Sequence, residues 1–157
     1  MLYFAYGSNM DQVDLDDWCD RNGFEKIRFK QVTPAKLSGY RLVFDHYSSG
    51  RNGGAANIEE SDRDRVYGLL IEMDDKYLDA IRNKEGYPYI YEEIKVTVKS
   101  KDGKVYSNVM TYQVVPEKRK SSHQKPTEYY LNLILNNAKK YGFPNEYIRF
   151  LNQVETI

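Results

Sequence analysis

The chain holds one cysteine, Cys19, and two well-separated histidines, His46 and His123. A lone thiol closes no internal disulfide, and two isolated imidazoles give no ligand spacing for zinc, so no metal site is expected. No apolar run approaches the ~20 residues that a membrane-spanning helix needs, and no membrane partner is expected. The first residues, Met1-Leu2-Tyr3-Phe4-Ala5-Tyr6-Gly7-Ser8-Asn9, lack the basic start and longer apolar stretch of a secretory signal, which points to a cytoplasmic protein. Excess charge is missing too. The 23 Lys and Arg offset 23 Asp and Glu, which argues against a phosphate-binding surface and against nucleic acid as a partner. Also absent are a phosphate-cradling glycine loop followed by Lys-Ser/Thr, a serine nucleophile elbow and a paired-histidine metalloprotease motif. Ser122 and His123 are neighbours in a polar loop, but adjacency along the chain does not deliver the geometry of a nucleophile and its base.

What is present is enough apolar residue, 41%, to form a core, and enough charge, 29%, to solvate a surface. The length of 157 residues fits one domain, residues 1–157. Tyrosine dominates the aromatics, 15 against 6 Phe and 1 Trp. An apolar ring with a polar tip suits a small domain with little interior.

Residues 2–6 read as a short buried strand ending in the tight turn Gly7-Ser8-Asn9. A helix follows, with Val13, Leu15, Trp18 and Cys19 roughly on one face and Asn22-Gly23 as its stop. Cys19 there reads as a packed thiol. Asp11, Asp14, Asp16, Asp17 and Asp20 lack calcium-loop spacing and read as a solvated face. Strands are expected over 24–32 and 37–45, joined around Pro34. The stretch Ser48 to Ile58, with Gly53-Gly54 inside it, reads as irregular. It is either a mobile loop or a place where backbone or ligand approaches closely.

A strand over 65–73 leads to a short helix opened by Asp74, carrying Tyr77, Leu78 and Ile81 on one side and leaving at Lys84-Glu85-Gly86. Tyr91 to Ser100 alternates, with Ile94, Val96 and Val98 on one face, and Lys101-Asp102-Gly103-Lys104 suits a type I′ hairpin turn returning through 105–115. Pro126-Thr127-Glu128 opens a helix to Tyr141, and Pro144-Asn145 starts a shorter one. Hairpin-connected strands with helices grouped mostly at the ends give an α+β fold built on a largely antiparallel sheet or barrel.

Three segments carry more glycine and specific polarity than scaffold needs: Tyr6-Gly7-Ser8-Asn9, Arg51-Asn52-Gly53-Gly54 and Glu85-Gly86. Backbone N–H groups at the first turn can form a concavity for an anion or a developing oxyanion. Glu85, if it points into a barrel mouth, is a carboxylate whose poor solvation raises its pKa and makes it a usable general acid and base. Arg51 in its glycine loop is either a guide for an anionic substrate or, as is more common for an exposed arginine, a solvated side chain. Glu92 and Glu93 offer other carboxylates, though strand alternation sends Glu93 to the polar face.

At these residues the sequence resembles the γ-glutamylcyclotransferase family. The resemblance is carried by Tyr3-Phe4-Ala5-Tyr6-Gly7-Ser8-Asn9-Met10, by Gly53-Gly54-Ala55-Ala56-Asn57-Ile58, by Val66-Tyr67-Gly68-Leu69-Leu70, and by Glu85-Gly86 with Tyr91 and Ile94-Lys95-Val96. It extends to Pro126-Thr127-Glu128-Tyr129 and Gly142-Phe143-Pro144. It implies a small mixed barrel flanked by helices that binds a γ-glutamyl substrate and closes it to 5-oxoproline with release of an amine or amino acid. By the same resemblance, Glu85 is the catalytic carboxylate, and Tyr6, Gly7, Ser8, Asn9, Gly53, Gly54, Tyr91 and Tyr129 bind substrate. Tyr130 is adjacent to Tyr129, and a one-residue shift in the matching exchanges the two. No cofactor is implied, and relatives occur as monomers or homodimers. The alternative is a non-catalytic module that uses the same barrel to hold a small ligand or a protein, and the Glu85 carboxylate favours the enzyme.

Overall fold

The computed structural model describes residues 1–157. Its strands are β1 (Leu2–Ala5), β2 (Phe29–Ser48), β3 (Gly53–Met73), β4 (Tyr91–Ser100) and β5 (Val105–Val114). Its helices are α1 (Gln12–Asn22), α2 (Leu78–Glu85), α3 (Glu128–Lys140) and α4 (Asn145–Asn152). The strands close a barrel in the order β1-β3-β2-β4-β5. Every pairing is antiparallel except the closing one, where β1 meets β5 in parallel at Tyr3 and Met110. This is the mixed, largely antiparallel barrel that the sequence implied. Phe4 of β1, Leu69 and Ile71 of β3, Val109 of β5 and Ile134 of α3 are fully buried in one core.

Local rules place the helix ends. Asp11 caps α1 by accepting from the Asp14 N–H, and Thr127 caps α3 by accepting from the Tyr130 N–H. Gly23 and Gly86 end α1 and α2 in the left-handed conformation. The second of these stops puts the last residue of α2, Glu85, at a fixed exit from the helix. Val13, expected on the inner face of α1, is exposed instead.

The barrel differs from the sequence reading in three places. Residues 24–28 carry no strand, and β2 instead runs unbroken through Pro34. Pro34 is tolerated because its carbonyl, on the side where its missing N–H would also point, accepts from Lys101 past the end of β4. In the hairpin turn only Gly103 has a positive φ, so the turn is not type I′, which needs two such residues. The third difference is the largest: Gly53 to Ile58, read as irregular, begins β3.

The reason lies in the segment before α3. Gly54 donates to the Lys125 carbonyl, and a methyl group on Gly54 would lie 1.8 Å from the Gln124 carbonyl oxygen. The glycine pair therefore admits a crossing backbone, leaving a regular strand beneath it. Gly54→Ala is expected to lower the unfolding free energy by about 1–3 kcal/mol through overpacking. Urea denaturation checks this, and a stability equal to that of the parent would refute the close approach.

Candidate active site

Five chain segments meet at one end of the barrel. The turn after β1 brings Gly7, Ser8 and Asn9; α1 brings Asp14; the β2–β3 hairpin brings Arg51; the end of α2 brings Lys84 and Glu85; and the first turn of α3 brings Tyr130. Most of these side chains border a cavity of about 400 Å³ whose wall also includes Tyr3, Tyr6, Tyr91 and Tyr112. Asp14 stands just behind this wall, bonded to Arg51.

The hydroxyls of the wall tyrosines differ in what they have left to offer. Tyr6 donates to the Tyr112 carbonyl at 2.6 Å, and Tyr91 donates to the Ala56 carbonyl at 2.7 Å. Both protons are committed, so these two can only accept. Tyr130 instead accepts from the Ala56 N–H at 3.0 Å, and Tyr3 accepts from the Asn9 side-chain amide at 2.9 Å. Each keeps its own proton to donate into the cavity. Burial pushes the Tyr130 phenol up to about 12, so it remains a donor at neutral pH.

Charges alternate around the cavity. Asp14 takes a two-point hydrogen bond from Arg51, at 2.8 and 2.7 Å, and Arg51 lies over the Tyr130 ring, 5.3 Å from its centroid. Lys84 Nζ is 3.7 Å from the Asp14 carboxylate and 2.5 Å from Asn9 Oδ1. Asn9 Nδ2 then donates to Glu85 Oε1 at 2.7 Å. Burial raises the Glu85 pKa above the ordinary carboxylate value, with Lys84, the Asn9 hydrogen bond and Arg51 opposing it. Desolvation likewise lowers Lys84. Asp14 goes the other way: burial alone would raise it, but the Arg51 hydrogen bond and the Lys84 charge hold it below the ordinary value.

A recessed carboxylate with a raised pKa, facing hydroxyl and amide donors in a small cavity, suits proton transfer on a small polar ligand. Comparison with known proteins narrows this. Residues 65–151 match the model of the AIG2-like family. The bovine (Bos taurus) protein named γ-glutamylcyclotransferase is 32% identical over 165 residues, covering 98% of this chain and 78% of that protein. The chain belongs to the γ-glutamylcyclotransferase family. The human (Homo sapiens) γ-glutamylcyclotransferase is also 32% identical, over 166 residues, with the same coverage of each chain. A solved structure titled γ-glutamyl cyclotransferase superposes with a TM-score of 0.81 at 28% identity, covering 99% of this chain and 88% of that one.

Against the residues expected from the family resemblance, Tyr6, Gly7, Ser8, Asn9, Glu85 and Tyr91 border the cavity. Gly53 and Gly54 do not, because they face the backbone of Gln124 and Lys125; their neighbours Ala55 and Ala56 form the wall instead. Tyr129 is 66% exposed, and it is Tyr130 that faces inward, since the Thr127 cap fixes the phase of α3. Tyr130→Phe leaves the buried Ala56 N–H without its acceptor and is expected to cost about 1–3 kcal/mol. Tyr129→Phe is expected to stay within about 0.5 kcal/mol. Thermal melts of the two variants check which ring is structural.

Sequence reasoning missed Asp14, Arg51 and Lys84. In sequence Asp14 reads as part of a solvated acidic face, yet it is buried against two cations. Arg51, whose more common reading is a solvated side chain, is its partner. The available signal was the position of Lys84 immediately before Glu85, two opposite charges at the end of one short helix.

Proposed function

We propose that this protein converts γ-glutamyl amino acids or γ-glutamylamines to 5-oxoproline and a free amine. The observation that carries the reading is Glu85: a recessed carboxylate, hydrogen-bonded by Asn9 and facing a cavity of about 400 Å³, in a chain of the γ-glutamylcyclotransferase family. The active unit is the whole chain, residues 1–157.

The chemistry follows from the substrate's own connectivity. Glu85 takes a proton from the α-ammonium, and the freed amine attacks the γ-carbonyl carbon. A C–N bond forms, closing a five-membered ring, and the carbonyl oxygen becomes an oxyanion. As the oxyanion collapses, the bond to the leaving nitrogen breaks, Glu85 returns its proton to that nitrogen, and the ring nitrogen gives up its second proton, so that the amine leaves as an ammonium. Nucleophile and electrophile belong to one molecule, so the protein's task is to fold the glutamyl chain into a near-attack shape.

The groups present suit these steps. The turn at Ser8–Met10 is a short helical turn, and its first N–H groups, on Ser8 and Asn9, have no acceptor within it. Together with the Tyr130 hydroxyl they are donors for the carbonyl oxygen or the α-carboxylate. Each well-aimed donor contributes about 3 kcal/mol in the transition state. In this reading the leaving group would extend toward Arg21 and Asn22 of α1 and Gly50 of the hairpin, which are the exposed lining residues.

The test is incubation of purified protein with a panel of γ-glutamyl amino acids and γ-glutamylamines while 5-oxoproline is followed by mass spectrometry. Turnover of at least one class is expected. No product from any member of the panel refutes the proposal, and tight 5-oxoproline binding without turnover would identify a ligand-binding module.

A further inference from the structure

Lys84 is a buried charged group at the cavity to which the proposed chemistry gives no step. Its side chain is only 6% exposed, an uncommon place for an ammonium group. Consecutive residues on a helix do not face each other, and Lys84 bonds not to Glu85 but to the turn after β1. Its Nζ lies 2.5 Å from Asn9 Oδ1 and 3.3 Å from Ser8 Oγ. The Asn9 amide then turns its other end to Glu85 Oε1, at 2.7 Å, and to the Tyr3 hydroxyl, at 2.9 Å.

This arrangement has only one sensible polarity. An ammonium has donors and no acceptor, so Asn9 must present its oxygen to Lys84 and its nitrogen to Glu85. Without the ammonium, the Asn9 amide can turn its oxygen toward Glu85, an orientation that suits only the protonated carboxyl, because an ionised carboxylate has no proton to donate. Asp14 stands behind Lys84 at 3.7 Å and is itself held by Arg51. The result is a chain running Arg51, Asp14, Lys84, Asn9, Glu85, drawn from four separate segments.

We infer that Lys84 is a positioning residue for Glu85: through Asn9 it fixes the hydrogen-bond donor that holds the carboxylate ionised and aimed into the cavity. The inference rests on the cyclotransferase reading for its kinetic consequence, while its structural consequence stands without it. The groups facing Glu85 decide the direction of that consequence. Lys84 and Arg51 are the cations that favour its ionised form, and Arg51 is already engaged by Asp14. Tyr3 and Tyr6 on the β1 side, Tyr91 on β4, Tyr112 on β5 and Tyr130 on α3 complete the surroundings. All five phenols are pushed upward, mainly by burial, so they carry no charge at neutral pH. Removing Lys84 therefore removes the main charge that keeps Glu85 ionised.

The experiment compares the parent protein with Lys84→Met and Lys84→Arg in two measurements. One is the pH dependence of kcat/KM for 5-oxoproline formation, and the other is a carbon-13 NMR titration of the Glu85 carboxyl, assigned by its loss in Glu85→Gln. In Lys84→Met, the acidic limb and the NMR midpoint should both move to higher pH, by about one unit or more. Activity should fall about tenfold at neutral pH and recover as the pH is raised, and Lys84→Arg should restore most of the original profile. A uniform loss with an unmoved limb, or a higher KM alone, overturns the inference. If the parent forms no 5-oxoproline, the functional reading fails, and an unmoved NMR midpoint in Lys84→Met is then what overturns the part given to Lys84. Should Lys84→Met fail to fold, Asn9→Ser removes the intermediary while leaving Lys84 beside Asp14, and it must move the same midpoint.

Discussion

Glu85→Gln is expected to reduce 5-oxoproline formation by about 10²–10⁴-fold or more, the range over which a positioned acid–base group acts. The amide is nearly the same shape and can still accept from Asn9, so substrate or 5-oxoproline binding should survive while turnover is lost. Stability should move the other way. The Glu85 pKa is raised in the folded protein, first by burial. Below the unfolded value near 4.5 the carboxyl is protonated in both states, and folding carries no penalty from it. As the pH rises through the folded value, the chain must ionise a group that its surroundings disfavour, and stability is lost. The variant should therefore melt at a higher temperature than the parent at neutral pH, with the gap closing below about pH 4.5. Steady-state kinetics and thermal melts on one preparation read both effects. Full activity in Glu85→Gln would remove the carboxylate from the mechanism. A variant that melts below the parent at neutral pH would contradict the environment described here.

A cavity-lining residue whose removal is expected to raise stability fits the pattern of a functional group kept for its chemistry. The same logic explains which parts of this molecule were legible in sequence. Strand β4 announced itself by alternation, with Val96 and Val98 inside and Lys95, Thr97 and Lys99 outside. The helix stops at Gly23 and Gly86 were legible because a left-handed residue at a helix end favours glycine. These signals are local. Long-range contacts gave no comparable signal: Gly53 and Gly54 looked like a flexible loop because the backbone they make room for arrives some seventy residues later, at Gln124 and Lys125.

The site divided along the same line. Glu85 and the Tyr6 to Asn9 turn, which border the cavity, are legible because glycine and a resemblance to a known family mark them. The resemblance leaves Tyr129 and Tyr130 exchangeable by a one-residue shift, which on a helix rotates a side chain by about 100°; the Thr127 cap sets the phase that turns Tyr130 to the cavity. Asp14 and Arg51 carry no sign of burial in the sequence, because each alone is an ordinary surface charge. Their pairing across 37 positions has no periodic signature.

That pairing carries the second large effect. Asp14 is 5% exposed, receives both Arg51 hydrogen bonds and stands 3.7 Å from Lys84. Asp14→Ala leaves two cations in a desolvated corner without their shared anion, a loss of about 3–5 kcal/mol for a broken buried pair. Against a total stability of about 5–15 kcal/mol, the variant should be substantially weakened and readily measured by urea unfolding. The double variant Asp14→Ala/Arg51→Ala should recover part of the loss, since it removes one of the stranded charges, and the cycle gives the coupling directly. The pH dependence has the opposite sign to that of Glu85. Burial would raise Asp14, but Arg51 and Lys84 hold it below the ordinary value of 3.8. Its contribution is thus fully present above that value and is lost only as the pH falls through the lower, folded one. The gap between parent and Asp14→Ala should stay constant from neutral pH down to about pH 4 and narrow only in stronger acid. An Asp14→Ala loss under about 1 kcal/mol, or strict additivity in the cycle, would show that the pair behaves as a solvated surface bridge.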